Sequence, residues 1–212
     1  MVRSGNLKLG NIANISKDAS TCGSLAKYCR DYCYMGSAYY KSMKHCVASH
    51  KRNGDIFREI EEKNLWQEFV IDMSSLILKK NLSYFRVDVN GDLVSEKELF
   101  AWIDIARICA GTKFWIPTKR LNWLIPATVH HINQTPNLHI AFSLFFNMPD
   151  EVVKLASKTK LPVAYADSEN KYSFKECSKS CEECLYCYEK GGNVFLPIHG
   201  TEAVKKRREY KE

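Results

Sequence analysis

Between Asp55 and Lys80 apolar residues recur mostly at spacings of three to five, at Ile56, Ile60, Leu65, Phe69, Met73, Leu76 and Ile77. This keeps one face of a helical period apolar and predicts one long or two abutting amphipathic helices. The period then changes. Tyr84-Phe85-Arg86-Val87-Asp88-Val89 alternates, as a strand does, and Asn90-Gly91-Asp92 closes it with a turn. Ser95, followed three residues on by Glu98, forms a capping box that opens a helix through Leu99, Trp102, Ile103, Ala106 and Cys109. Lys113-Phe114-Trp115-Ile116 reads as a second strand, Leu121 to Ile132 as a helix, and Leu138 to Ser143 as a third strand. Asp150 to Ser157 reads as a short helix and Leu161 to Ala166 as a fourth strand. Residues 1–21 are rich in turn formers and predict an irregular entry with one short strand.

Strands separated by helices argue for an α/β fold, either a partial (β/α) barrel or an open parallel sheet, with cysteine-rich loops at both ends of the chain. The chain reads as a single domain over 1–212. Residues 1–52 form a cysteine loop and basic segment, 53–170 the alternating core, 171–200 a four-cysteine loop and 201–212 a basic tail. Sites in such folds gather at the carboxyl ends of the strands. That rule nominates Asp88, Asn90 and Asp92, then Thr118, Lys119 and Arg120, then Ser143 and Asn147, and finally Asp167 and Ser168.

With 45% hydrophobic and 26% charged residues over 212 positions, the composition is that of a globular protein, not a disordered or fibrous one. A chain of this length buries roughly 70% of its unfolded surface, so compactness does not require disulfides or metals. No run of about 20 apolar residues is present to span a bilayer, and no signal peptide is apparent, so the expected setting is a reducing cytoplasm without membrane contact. The net charge of +7 is partly local: one basic cluster holds Lys41, Lys44, His45, His50, Lys51 and Arg52, and another is Lys205-Lys206-Arg207-Arg208. Solvated helix ends account for such runs, and nucleic-acid binding through the tail is the sharper alternative.

Nine cysteines alter this picture. In a reducing compartment, clustered thiols are metal ligands or catalytic groups more often than disulfides. Cys22, Cys29 and Cys33 follow C-x6-C-x3-C, and Cys177, Cys181, Cys184 and Cys187 follow C-x3-C-x2-C-x2-C. Cys46 and Cys109 stand apart and read as small hydrophobes. A structural zinc site usually grips its ion with knuckles from two separate segments. Thiols recurring every third residue suit a 4Fe-4S cubane instead, whose separate irons each take one thiolate from a short loop. Zinc is the alternative. Three thiolates leave one iron open to substrate, whereas four close the cluster. Three plus four thus fit one open and one closed cluster, or a single shared cluster with ligands from both ends of the chain.

Several segments carry a family resemblance: Thr21-Cys22 through Cys29-Arg30-Asp31-Tyr32-Cys33-Tyr34, Phe85 to Asp92 with Ala101-Trp102, Lys113-Phe114-Trp115 with Thr118-Lys119, and Pro136-Asn137-Leu138-His139-Ile140. Together these resemble the phage gene product 88 domain family over roughly residues 5 to 200. The resemblance implies a bacteriophage protein acting in the cytoplasm of an infected bacterium, and it implies no settled activity. The layout is also similar to a shortened radical S-adenosylmethionine enzyme, with Asn90, Gly91 and Asp92 where that larger family has its cosubstrate-binding glycine motif. The larger family uses C-x3-C-x2-C, so both cysteine gaps differ here.

The leading expectation is a phage iron-sulfur enzyme acting on a small molecule through an open cluster iron. Radical cleavage of S-adenosylmethionine is one route. Lewis-acid hydration or ester hydrolysis is the other, with Asp88, Asp92, His130, His131, His139 or His199 as candidate bases. The alternative is a non-enzymatic module, stabilised by iron-sulfur or zinc, that binds a host protein or nucleic acid. No nucleophile elbow, phosphate loop or dinucleotide fingerprint competes.

Overall fold

The computed structural model describes residues 1–4, 8–177 and 180–198. Among these, seven strands form one sheet: β1 (Ala13–Asn14), β2 (Tyr84–Arg86), β3 (Lys113–Thr118), β4 (Leu138–Phe145), β5 (Val163–Asp167), β6 (Lys175–Glu176) and β7 (Val194–Pro197). Every pairing is parallel, in the order β1-β2-β3-β4-β5-β7-β6, and the sheet curls into a half-barrel. The α/β class and the partial barrel are therefore as expected. The helices are α1 (Ala38–Ser42), α2 (Lys44–Glu62), α3 (Trp66–Lys79), α4 (Glu96–Ile108), α5 (Pro126–Asn133), α6 (Asp150–Thr159), α7 (Cys181–Cys184) and α8 (Tyr186–Glu189).

Strand alternation divides the core into two layers. On one face Phe85, Phe114, Ile116, Ile140, Phe142 and Tyr165 pack against Phe57, Phe69 and Trp102 from the helices. Trp102 is fully buried, with Phe69 at 5.4 Å and Phe85 at 5.6 Å between ring centroids. An aromatic side chain buries roughly 150–250 Å², worth about 4–6 kcal/mol at about 25 cal/mol per Å². The opposite face carries Trp115, Ala141, Ala164 and Val194, and there the cover is Leu9, Ile12 and Tyr188 with the C-terminal cysteine segment.

Several boundaries move from their predicted places. The helix expected from Asp55 begins at Lys44, so the basic cluster around residue 50 lies largely on α2, and His50 is buried with Nδ1 2.7 Å from the Tyr40 hydroxyl. The helix expected over 121–132 splits, with a 3-10 turn at Leu121–Trp123 and α5 starting at Pro126, whose missing N–H suits a first turn. The strands β6 and β7, inside the stretch read as a loop, complete the sheet.

α2 also anchors the N-terminal segment that carries the first cysteines. Asn53 Nδ2 donates to the Ser16 carbonyl at 2.8 Å, and a Cβ on Gly54 would lie 2.2 Å from Asp18 Oδ1. The chain passes that closely only because the helix has a glycine there.

Candidate functional site

After β1 the backbone crosses the carboxyl end of β2: Ile15 N–H donates to the Arg86 carbonyl at 3.0 Å and Lys17 N–H to that of Asn90 at 3.0 Å. Four short 3-10 turns follow, at Ala19–Thr21, Ser24–Tyr28, Arg30–Tyr32 and Tyr34–Gly36. The three cysteines occupy their joints. Cys22 ends the first turn, Cys29 links the second to the third, and Cys33 links the third to the fourth. Arg120, just past β3, clamps the entry, with Nη2 donating to the Thr21 carbonyl at 2.6 Å and Nε to that of Leu93 at 2.9 Å.

This puts Cys22, Cys29 and Cys33 together at the strand carboxyl ends, beside Asp92 and Lys119. Burial pushes the Cys22 thiol up to about 12, while Lys119 pulls it down and Asp92 and the other two thiols push it further up. Cys29 is raised for the same leading reason. Burial opposes the charge of Lys119, but Asp92 with Cys22 and Cys29 holds its pKa above the ordinary lysine value. An ammonium is therefore fixed beside the thiols.

Asp92 is committed to structure. Its Oδ1 accepts from Thr118 Oγ1 at 2.7 Å and Leu93 N at 2.9 Å, and its Oδ2 from Lys119 N at 3.0 Å, with Lys119 Nζ at 3.3 Å. Gly91 has φ +81°, and a Cβ there would stand 2.7 Å from Thr21 Oγ1 and 2.9 Å from the Lys17 carbonyl oxygen. Asn90-Gly91-Asp92 thus seats the cysteine segment on β2. Asp88 is buried with φ 53°, and its Oδ2 lies 3.1 Å from Lys17 Nζ, which also bonds Glu98.

The second group lies elsewhere. Cys177 N–H donates to the Phe195 carbonyl at 2.9 Å, and Cys181 N–H donates to that of Lys8 at 2.7 Å. Ser180 caps α7, and Leu185, at φ 49°, turns the chain into α8. Cys177, Cys181, Cys184 and Cys187 then surround one cavity with Leu185 and Tyr186. Burial pushes the Cys187 thiol up to about 12 and raises Cys181, and in both the leading opposing cation is Arg86, joined at Cys181 by Lys8. The thiols acting on each of these cysteines belong to its own group, so the structure holds a triplet and a quartet at separate places. No three His, Cys, Asp or Glu side chains among the described residues converge as the ligands of one metal ion do.

The family model for Gene product 88 matches residues 4–171. The chain belongs to this family. No curated protein and no solved structure matches it. The Gene product 88 match takes in the triplet, Asp88 to Asp92, Thr118 to Arg120 and strands β1 to β5, and it ends before the quartet, β6 and β7, short of the expected 200.

The other nominated residues divide between the strand carboxyl ends and places away from them. His139 is on β4 under the Gly191 turn, where burial lowers its pKa, and not at the carboxyl end. His130 and His131 are on α5, with His131 Nδ1 3.5 Å from Arg107 Nη2. At the carboxyl ends Asp167 closes β5 and accepts from Tyr165 and from Ser168 N–H, and Asn147 follows β4, whereas Ser143 is half-buried within β4. His199 and the basic tail Lys205 to Arg208 lie outside the described residues. Cys109 is buried in the core as a small hydrophobe, and Cys46 Sγ accepts from Arg3 at 3.6 Å. Lys17, Arg86 and Tyr188 carried no sequence signal for a site, although the alternation of Tyr84 to Val89 already puts Arg86 opposite Phe85.

Proposed function

We infer that this member of the Gene product 88 family is an iron-sulfur protein, with one 4Fe-4S cluster on Cys22, Cys29 and Cys33 and a second on Cys177, Cys181, Cys184 and Cys187. The grouping of the seven thiols into two sites, most of them partly buried and each group with a cation beside it, carries this reading. Thiolates are costly to bury without compensation, and cluster iron, aided by Lys119 or Arg86, supplies it.

The triplet leaves one iron without a protein thiolate, so a bound cluster would supply an open Lewis-acidic or redox-active position at the strand carboxyl ends. Lys119 and Arg120 hold the site's wall there, and Asp92 fixes Lys119. The reading is of an enzyme acting on a small molecule inside an infected bacterium, and no helix among the described residues is long and apolar enough to cross a membrane. A second reading, a non-enzymatic cluster-stabilised module, draws support from Asp92, whose oxygens are all occupied.

Anaerobically purified protein is expected to be brown and to hold about eight irons and eight sulfides, four of each per cluster. Cys22→Ala should remove about half, and a colourless protein holding one zinc overturns the reading. Release of 5′-deoxyadenosine from S-adenosylmethionine under reduction identifies radical chemistry, and turnover of a model ester identifies the Lewis-acid route. Neither product, with cluster loss lowering the melting temperature, identifies the module.

A further inference from the structure

The Nε of Arg86 and the hydroxyl of Tyr188 are buried and find no hydrogen-bond partner among the described residues. Native interiors rarely leave a buried polar group unpaired, because its desolvation is then uncompensated. Both groups lie beside the same thiols. Tyr188 lines the cavity that the four cysteines surround and packs with Cys177, Cys181 and Cys187. Arg86 lies across the register from Trp115 of that same hydrophobic cluster, where it is the leading cation acting on Cys181 and Cys187, with Lys8 second on Cys181. They arrive from different elements. Arg86 is held in β2 with Asn14 and Trp115 as its register neighbours, on the face turned away from Phe85. Tyr188 is on α8, its residue only 1% exposed, with its ring edge-on to Tyr84 at 5.5 Å.

A guanidinium can only donate hydrogen bonds. The Tyr188 hydroxyl brings one O–H to donate, and it is buried where the cysteines line the cavity. Two buried donors, one of them carrying the Arg86 charge, therefore lie beside the quartet of sulfur ligands. We propose that Arg86 Nε–H and Tyr188 Oη–H donate hydrogen bonds to the sulfurs of a cluster on Cys177, Cys181, Cys184 and Cys187, making the quartet a one-electron carrier whose reduction potential these two residues raise. The proposal rests on the cluster reading above and adds to it what the second site does.

Four thiolates occupy all four irons, so no substrate can bind one and an electron is what remains to be exchanged. Reduction makes and breaks no bond: one electron enters from an external reductant and the cluster gains one negative charge. Donors and a cation favour that more negative state, and hydrogen bonds to sulfur are a main lever on cluster potential. Cys184 is exposed, which gives the electron an edge at which to enter.

The test uses the full chain, purified anaerobically and titrated with dithionite while cluster paramagnetism is followed. Cys181→Ala identifies the quartet's signal by removing it. Arg86→Gln and Tyr188→Phe are expected to retain iron and to lower that signal's midpoint, each by about tenfold in the reduced-to-oxidised ratio at fixed potential, which is 59 mV for one electron. Arg86→Lys, which keeps the charge and loses Nε–H, should fall between wild type and Arg86→Gln. If Arg86→Gln does not fold, the near-isosteric Tyr188→Phe decides. An unchanged midpoint with iron retained overturns this proposal alone. Iron content in Cys181→Ala equal to wild type overturns the quartet as a cluster site, and the proposal with it.

Discussion

Lys17 is fully buried, with its ammonium between Asp88 and Glu98 and 4.3 Å from the Phe57 ring centroid. Burial disfavours its charge, but the two carboxylates hold its pKa above the ordinary lysine value. Two carboxylates against one ammonium leave a surplus negative charge in a place water does not reach. The carboxyl of Asp88 takes up the difference: burial pushes it from 3.8 to about 7, against the pull of Lys17 and with Glu98 and Asp92 adding to the push. Between those two values the folded chain keeps a proton that the unfolded chain has released, so stability falls as pH rises from about 4 to about 7 and is level above that. Lys17 contributes below its unfolded value of 10.5 and does not alter that window. Urea unfolding at several pH values should show this slope, and Asp88→Asn should flatten it. A slope unchanged in the variant would remove Asp88 as its source. None of this was legible in the sequence, because Lys17 and Glu98 lie 81 positions apart and no local pattern links them.

At the scale of elements, the turn after β2 does two jobs, capping α4 and seating the cysteine triplet. The cap was readable: Ser95 Oγ accepts from Glu98 N–H at 3.2 Å, as the spacing of the two residues predicts. Glu98 does not complete the box in the expected way, since its Oε2 accepts from Val94 N–H at 2.7 Å and its Oε1 serves Lys17 and Trp102. The seat was half-readable. Asn90-Gly91-Asp92 stood out as a turn, but its tight fit against Lys17 and Thr21 depends on a segment more than one helix away. These two jobs separate by mutation. Ser95→Ala should cost about 1 kcal/mol and leave the iron content unchanged. Gly91→Ala places a side chain at φ +81° against Thr21 and Lys17, at about 2–5 kcal/mol for the backbone conformation and the overpacking together. It should also displace Cys22 and lower the triplet's iron. Full iron with Gly91→Ala would show that the turn does not position the cysteines. The strands β6 and β7 escaped notice for a different reason: each is four residues or fewer, and the cysteines between them made the stretch read as a loop.

Over the whole molecule, the sheet is covered on one face by helices and on the other by the C-terminal cysteine segment. The fold class followed from strand and helix alternation, but this second cover did not, because its contacts join residues 9 and 12 to residues 181–194 across the entire chain. The cover extends beyond the Gene product 88 match, which ends at residue 171. A chain stopped at residue 171 would keep β1 to β5 and lose β7, which pairs with β5 over Ala164 to Asp167. It would also uncover Trp115, Ala141 and Ala164, three residues that are at most 2% exposed in the full chain. An open strand edge beside an apolar face is a template for association. The truncated chain is therefore expected to bind a hydrophobic dye and to elute as aggregate on size exclusion, while the full chain does neither. A soluble, monomeric truncation that unfolds cooperatively would mean that the matched region is stable without its cover. The quartet would then have to be explained by what it binds and not by what it holds together.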